Sequence, residues 1–401
     1  MKKRKTYKKP NPFVYKIFLW GSKLYSWYKL GLKIERNEVK GKKGAYVVIA
    51  NHASAIDFMP ACTAIKRRVH FVISQSFYQS NPIQPLLNGV KVIPKNQFQT
   101  SVVHMRKMKA VLDNDMPLVF YPAGLMSENG VNTPIPASTG KSLKWFAKDV
   151  YVCKIKGTYL SHPKWSSIHR KGKTSLNIYK LFDAKDLENM TNEEVQEVVE
   201  QHLKFDEYAD QKINGVKFKN GDNLEGLENV IFKCPHCHNE FSFMTKGNVM
   251  TCSNCGYSVK SNEYSLLEQN CDIPLYYDTI SAWSLAIENS IKTEVLSDGY
   301  TLSSDVKIEM INEKNRHFEP AGEGHLTLNK DEFILTANIN GESVTKTFQT
   351  KLFPTTPFKP GVHFELQDAE NIYRVKLVDG QKVIKWIIAL KIYFKNAWGL
   401  N

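Results

Sequence analysis

Long apolar runs are missing from this chain. Nothing in its 401 residues approaches the ~18 uninterrupted apolar residues that a helix needs to cross a bilayer, so no spanning helix is expected. No secretory leader is expected either. Lysines interrupt the apolar part of MKKRKTYKKPNPFVYKIFLWGSKLYSWYKLGLKI, and no small-residue cleavage site comes after it. Cysteine is scarce. Four of the seven form two Cys-x-x-Cys pairs, which fits a reducing compartment with a metal site better than a disulfide framework. A cytosolic protein is the expectation. Excess charge is nearly absent beyond residue 44. Residues 1–44 hold fourteen Lys/Arg against two acidic residues, which is +12 of the chain's +14. The basic character therefore belongs to an N-terminal arm, and a general nucleic-acid surface is excluded.

What is present is a globular composition, 42% hydrophobic and 23% charged, in a chain long enough for two or three domains of about 100–200 residues each. In the basic arm, residues 1–34, Phe13, Ile17, Trp20, Leu24 and Trp27 recur at helical spacing, with Lys16 and Lys23 on another face. Aromatic rings mixed with lysines on a short amphipathic helix suit the interface of an anionic membrane, rings at headgroup level and ammonium groups reaching into water. A basic helix packed on its own domain is the alternative, and Gly21 counts slightly against a helix of either kind.

From residue 45 short β-rich runs alternate with helical stretches. AYVVIA (45–50), HFVIS (70–74), VKVIP (90–94), PLVFYP (117–122) and VYVCKIKG (150–157) are strand candidates. Helices are expected in SAIDFMPACTAIKR (54–67), FQTSVVHMRKMKAVLDND (98–115) and GKSLKWFAKD (140–149). The alternation argues for an α/β domain on a largely parallel sheet over 35–210. Its last helix is capped by the box Thr191-x-x-Glu194.

A polar linker (211–227) leads to FKCPHCHNEFSFMTKGNVMTCSNCGYS, where Cys234-x2-Cys237 and Cys252-x2-Cys255 stand fourteen residues apart. Two thiolate pairs at this spacing close a tetrahedral Zn2+ site, so 228–262 is expected to be a structural zinc ribbon. His236 and His238 are possible substitute ligands, made unnecessary by a full set of four cysteines. Three lysines and two glutamates across this stretch make it too neutral to grip phosphates. In a β-rich domain expected over 263–401, residues 300–378 change character, with HLTLNKDEFILTANINGESVTKTFQT alternating at period two and turning at Asn340-Gly341, and the chain ends in a helix striped by Val383, Ile387, Leu390 and Phe394. Antiparallel strands closed by a terminal aromatic helix resemble a small pleckstrin-homology (PH)-type barrel, although the helix is equally readable as an ordinary core helix.

The most telling stretch is NHASAID (51–57). One reading needs no chemistry: Ser54 caps a helix and Asp57 completes a Ser-x-x-Asp box. That leaves Asn51 and His52 unexplained at the end of an apolar strand, where α/β sheets bind ligands. In the other reading His52 lies in the strand-to-helix loop and Asp57 in the first helical turn. Aspartate then holds one imidazole nitrogen while the other takes a proton from a substrate hydroxyl.

NHASAID also resembles the Asn-His-x-Ser-x-x-Asp signature of the glycerolipid acyltransferases, the lysophosphatidate acyltransferase-like family. GVKVIPKNQ (89–97) resembles the family's second block, with Lys95 in place of arginine. VFYPAGLMSENG (119–130) resembles its Phe-Pro-Glu-Gly-Thr-Arg-Ser block, with Ala123 for the glutamate and Met126 for the arginine. VYVCKIKG resembles the final strand block. The resemblance covers about residues 10–210. It implies a membrane-peripheral enzyme of phospholipid biosynthesis, like a 1-acylglycerol-3-phosphate O-acyltransferase, on the cytoplasmic side of the cell membrane. His52 would be its general base and Asp57 the orienting partner. Asn51, Ser54, Gly89, Lys95, Pro122, Gly124 and Ser127 would line the substrate site. Its cosubstrate would be an acyl thioester of coenzyme A or acyl carrier protein, and its acceptor the hydroxyl of a glycerolipid or lysophospholipid. The two missing charges in the third block imply an acceptor less dependent on phosphate. A non-catalytic lipid-binding relative and a zinc-ribbon adaptor are the competing readings. STGKS (138–142) imitates the end of a phosphate-binding P-loop, but the first glycine that loop requires would fall at Ile135.

Overall fold

The computed structural model describes residues 7–80, 82–96 and 102–400. The first six residues of the basic arm and residues 97–101, which include the starts or ends of two expected elements, lie outside them. The chain divides into two compact units: residues 1–163 with 169–219, and residues 164–168 with 220–401.

The first unit runs α1 (Pro12–Tyr28), β1 (Lys33–Asn37), β2 (Val47–Ala50), α2 (Phe58–Ile65), β3 (His70–Ser74), α3 (Gln75–Gln79), α4 (Gln84–Gly89), β4 (Ile93–Lys95), α5 (Val102–Asp113) and β5 (Leu118–Phe120). It continues through α6 (Ser138–Phe146), β6 (Val150–Lys156), α7 (Thr158–Ser161), β7 (Ser175–Phe182), α8 (Asp186–Asn189), α9 (Asn192–Leu203) and α10 (Glu207–Asn214). Its seven strands lie in the order β1-β7-β6-β2-β5-β3-β4. Strands β2 to β6 are mutually parallel, and β7 pairs antiparallel with β6. Strand β2 is central and buried on both faces, which is why VVIA reads as an unbroken apolar run. Val48 and Ala50 face a cluster that includes Tyr15 of α1 and Ala61 and Ile65 of α2. Val47 and Ile49 face Val111, Phe146, Val195 and Val199 of α5, α6 and α9.

Several elements differ from the sequence reading. VKVIP yields a strand only from Ile93, because the residues before it close helix α4. The helix expected from residue 54 starts at Phe58. The edge strand β1 and its neighbour β7 join the sheet unannounced. Helix α10 runs through residue 210, and the unit continues to Lys219. The capping box at Thr191 forms as expected, with Glu194 N–H donating to Thr191 Oγ1 at 3.1 Å and Thr191 N–H to the Glu194 carboxylate at 2.7 Å. STGKS lies in α6, where the amide of Gly140 donates to Gln196 Oε1 of α9 at 2.9 Å. A Cβ there would come within 2.3 Å of the Asn192 carbonyl oxygen, so this glycine serves helix packing.

Helix α1 is capped by Asn11 Oδ1, which accepts from the Phe13 and Val14 amides. Tyr15, Ser22 and Ser26 turn inward, while Phe13 (72% exposed), Trp20 (66%) and Trp27 (58%) form an uncovered apolar stripe. No helix among the described residues is long and apolar enough to cross a membrane.

The second unit has a four-stranded antiparallel sheet from Phe243–Lys246, Val249–Cys252, Ser258–Ser261 and Leu267–Gln269, after which comes the helix Ile280–Val295. A seven-stranded antiparallel sheet and the terminal helix Val383–Ala397 complete it. The hairpin turn falls at Asn340-Gly341, whose φ values of 53° and 91° are the positive pair such a two-residue turn needs. Trp386 of the terminal helix packs its ring between Phe333 and Phe364 of the sheet, with centroids 6.2 and 6.0 Å away.

Candidate active site

Asn51 and His52 leave the carboxyl end of central strand β2, and the chain enters a turn there before helix α2 begins. The Asp57 carboxylate folds back under that turn. Its Oδ2 accepts from the Ala53 amide at 2.7 Å, from the Ser54 amide at 2.9 Å and from His52 Nδ1 at 2.9 Å. The Ser54–Asp57 capping box does not form, because Asp57 stands before the helix and Ser54 Oγ donates to the His162 carbonyl. Asp57 is fully buried. Its grip on Nδ1 sets the tautomer that leaves Nε2 as the proton acceptor. The His52 side chain keeps 19% exposure and borders a shallow, solvent-open cleft.

The other expected residues separate into two groups. Asn51 exchanges two 2.8 Å hydrogen bonds with the backbone of Ile155, tying β2 to β6. Ser127 donates its amide to the His52 carbonyl at 3.1 Å, and its hydroxyl bridges the Val131 carbonyl and the Gly130 amide. The polar groups of Asn51, Ser54 and Ser127 are thus engaged within the chain and frame the histidine. Pro122 is buried, and Gly124 closes a turn onto the Tyr121 carbonyl at φ 71°. Gly89 lies away from the cleft in sequence and space. It accepts from the Asn11 amide at 2.9 Å, and a Cβ there would sit 2.5 Å from Val14 of α1. Lys95 ends β4 at the sheet's edge, also at a carboxyl end. Burial lowers its pKa, and it has no acidic partner among the described residues.

Ala123 and several residues that sequence reasoning did not single out complete the site. The Tyr121 ring stacks on His52, and burial beside Asp57 pushes its phenol well above the usual pKa. Ala123, Asn132, Thr133, Leu203 and Phe205 line the cleft with His52, and among the described residues no lining side chain carries a fixed charge. Leu203 ends α9 and Phe205 lies between α9 and α10. The only sequence signal there is Asp206, whose carboxylate caps α10.

In the second unit, the Sγ atoms of Cys234, Cys237, Cys252 and Cys255 all lie within 4.8 Å of one another. Cys234–Cys255 and Cys237–Cys252 are 3.7 and 3.8 Å apart. A tetrahedron with Zn–S bonds near 2.3 Å has edges of about 3.8 Å, so the four thiols fit the ion. Asn254 Nδ2 donates toward Cys237 Sγ at 3.4 Å, as an outer partner of a thiolate would. His236 contacts Tyr276 and adds no ligand.

Residues 31–166 match the family model described as Acyltransferase. No curated protein sequence matches the chain. Among solved structures, the 1-acyl-sn-glycerophosphate acyltransferase PlsC of Thermotoga maritima is similar at 18% identity and a TM-score of 0.40, over 47% of this chain and 78% of that one. The Ran-binding domain of Nup2 from Ashbya gossypii (13% identity, TM-score 0.19) aligns with 23% of this chain and 94% of its own. The PH domain of human oxysterol-binding protein-related protein 11 (14%, 0.18) aligns with 25% of this chain and 84% of its own.

Proposed function

Residues 31–166 belong to the Acyltransferase family, and from that premise we propose that the protein is a peripheral membrane O-acyltransferase in which His52 is the general base. One observation carries the reading: His52 Nδ1 lies 2.9 Å from a wholly buried aspartate that two backbone amides hold in place. An aspartate so fixed orients the imidazole and steadies the imidazolium formed during turnover.

The acceptor hydroxyl gives its proton to His52 Nε2 as its oxygen attacks the carbonyl carbon of an acyl thioester. The tetrahedral intermediate then collapses, the C–S bond breaks, and the imidazolium returns the proton to the leaving thiolate. An acyl ester and a free thiol of coenzyme A or acyl carrier protein result.

The acceptor is a glycerolipid or lysolipid hydroxyl. Where the family carries glutamate and arginine, Ala123 and Met126 offer no charge, and among the described residues no charged side chain lines the cleft. Arginine can grip phosphate with two parallel hydrogen bonds, whereas Lys95 offers a single point charge. This supports an acceptor other than lysophosphatidate, such as a glycolipid or another lysolipid. The exposed stripe of α1, with its lysines, supports attachment to the cytoplasmic face of an anionic membrane. The four cysteines hold a structural Zn2+, whose role is to close the ribbon's two knuckles. The seven antiparallel strands and terminal helix support a PH-type reading of the C-terminal region.

A labelled acyl thioester offered to a panel of lysolipids, glycolipids and lysophosphatidate tests the proposal. The expected result is ester formation that depends on the acceptor. Tight lipid binding without transfer to any acceptor contradicts it and favours a non-catalytic relative.

A further inference from the structure

Beyond the stretch that matches the family, one carboxyl group is buried beside the catalytic pair and has no part in the mechanism above. Glu207 is the first residue of α10, and only 4% of it is exposed. Its backbone amide donates to the Gly130 carbonyl at 2.9 Å, and its carboxylate oxygen Oε2 accepts from the Gly157 amide at 2.8 Å. The residue before it, Asp206, forms an antiparallel bridge with Val131.

Both anchors lead directly to the site. The Gly130 loop is closed by Ser127, whose amide holds the His52 carbonyl. The Gly157 turn ends β6, whose Ile155 holds the side chain of Asn51. Both glycines have positive φ, 91° and 82°, and a Cβ on Gly130 would come within 2.7 Å of the Tyr208 ring. α10 therefore docks against backbone that only glycine permits.

We propose that Glu207 is a positioning residue for acyl transfer: its carboxyl clasps the Gly157 turn to the Gly130 loop and, through them, fixes Asn51 and His52 over Asp57. The proposal rests on the acyl-transfer reading and adds to it a side chain outside the family's own blocks.

The clasp works in its uncharged form. Burial pushes the Glu207 carboxyl up to about 8, opposed by the Gly157 amide and reinforced by the charge of Asp57. Asp210 adds to the rise from α10 itself, and Lys156 of β6, ion-paired with Asp210, offsets it in part. Tyr208 of α10 and, through it, Tyr159 and Arg170 belong to the same charge-coupled group. Oε1 has no hydrogen-bond partner among the described residues, so the Gly157 amide on Oε2 is the one hydrogen bond that favours ionisation. When the proton leaves, the charge is buried and repelled by Asp57, so the folded protein holds the ionised group less well than the neutral one. The folded protein holds a proton that the unfolded chain releases in the ordinary carboxylate range. Stability therefore declines as pH rises from that range to about 8, and levels off above it.

The test compares E207Q and E207A with the wild-type full chain, in kcat and KM against pH and in thermal midpoint against pH. Glutamine keeps an acceptor for the Gly157 amide and cannot ionise. E207A is expected to lower kcat, by up to about 100-fold for a shift near 1 Å, with KM little changed. E207Q is expected to restore kcat at neutral pH. It should also lack the alkaline decline of the wild type and be the more stable protein there. An E207Q protein whose rate and melting profiles superimpose on the wild type at every pH overturns the proposal, whatever E207A does. So does an E207Q protein as impaired as E207A at neutral pH. A wild type that transfers no acyl group to any acceptor defeats the acyl-transfer reading instead, and the melting profiles still report on the clasp.

Discussion

The imidazole of His52 lies against the ring of Tyr121, their centroids 4.4 Å apart and their planes 27° from parallel. The stack covers one face of the imidazole while Asp57 holds its Nδ1 edge, and the Tyr121 hydroxyl is buried with no partner among the described residues. Tyr121→Phe keeps the ring and removes the orphan oxygen. It should preserve acyl transfer and raise stability by about 1 kcal/mol, the lower end of the cost of an unpaired buried hydroxyl. Tyr121→Ala should lower kcat by leaving the imidazole free to turn. Chemical denaturation and initial rates check both. A destabilised Tyr121→Phe protein would mean that the hydroxyl has a partner after all.

The ribbon should carry one zinc per chain on Cys234, Cys237, Cys252 and Cys255. Cys252→Ser should lose the metal and unravel the ribbon, since metal binding supplies most of the folding energy of such modules. Acyl transfer should suffer much less. Elemental analysis of the purified protein decides, and a metal-free, fully folded preparation contradicts the assignment.

The outward stripe of α1 should bind vesicles rich in anionic lipid. Replacing Trp20 and Trp27 together with alanine removes two exposed rings, each worth roughly 1.5–3 kcal/mol if fully buried. Affinity should fall by at least about 10-fold. Salt should weaken the wild type further, because each basic residue near the surface adds about 1 kcal/mol. Equal binding to neutral and anionic vesicles in co-sedimentation removes the electrostatic part of the claim.

How far the sequence revealed this site varied with what each residue had to signal. NHASAID was legible because a polar pair ending a buried strand has no structural excuse, and the cysteine spacing because two knuckle turns demand it. Thr191 and the Asn340-Gly341 turn carried their own local chemistry. Strand β1, KIERN, had little to show, since it is a short edge with charged, exposed side chains. The distinction between Asn51, which ties β2 to β6, and His52, which faces the cleft, depended on a partner 104 residues away. Leu203, Phe205 and Glu207 were invisible for the same reason. Glu207 docks against the Gly130 loop and the Gly157 turn, and Leu203 and Phe205 reach the cleft only in the folded chain; no local pattern encodes a tertiary contact.

The acceptor's identity turns on Ala123, which lines the cleft, and on Met126 three residues later. The double variant Ala123→Glu, Met126→Arg should raise kcat/KM for lysophosphatidate relative to neutral acceptors by roughly 10-fold, the scale of a charge-assisted, bidentate phosphate contact. Competition between two labelled acceptors in one reaction measures the ratio directly. Wild-type enzyme that already prefers lysophosphatidate would show that Lys95 and its neighbours supply the phosphate contact by another route.

The catalytic role of His52 and Asp57 is tested most directly by the single-turnover rate of acyl transfer from a labelled thioester to the best acceptor, in wild type, His52→Ala and Asp57→Asn. Transfer by the wild type is expected, with a loss of about 100-fold or more in each variant, the usual worth of a positioned general base. Circular dichroism should be unchanged, since neither substitution removes apolar core. A folded His52→Ala protein that transfers acyl groups at the wild-type rate would contradict the assignment.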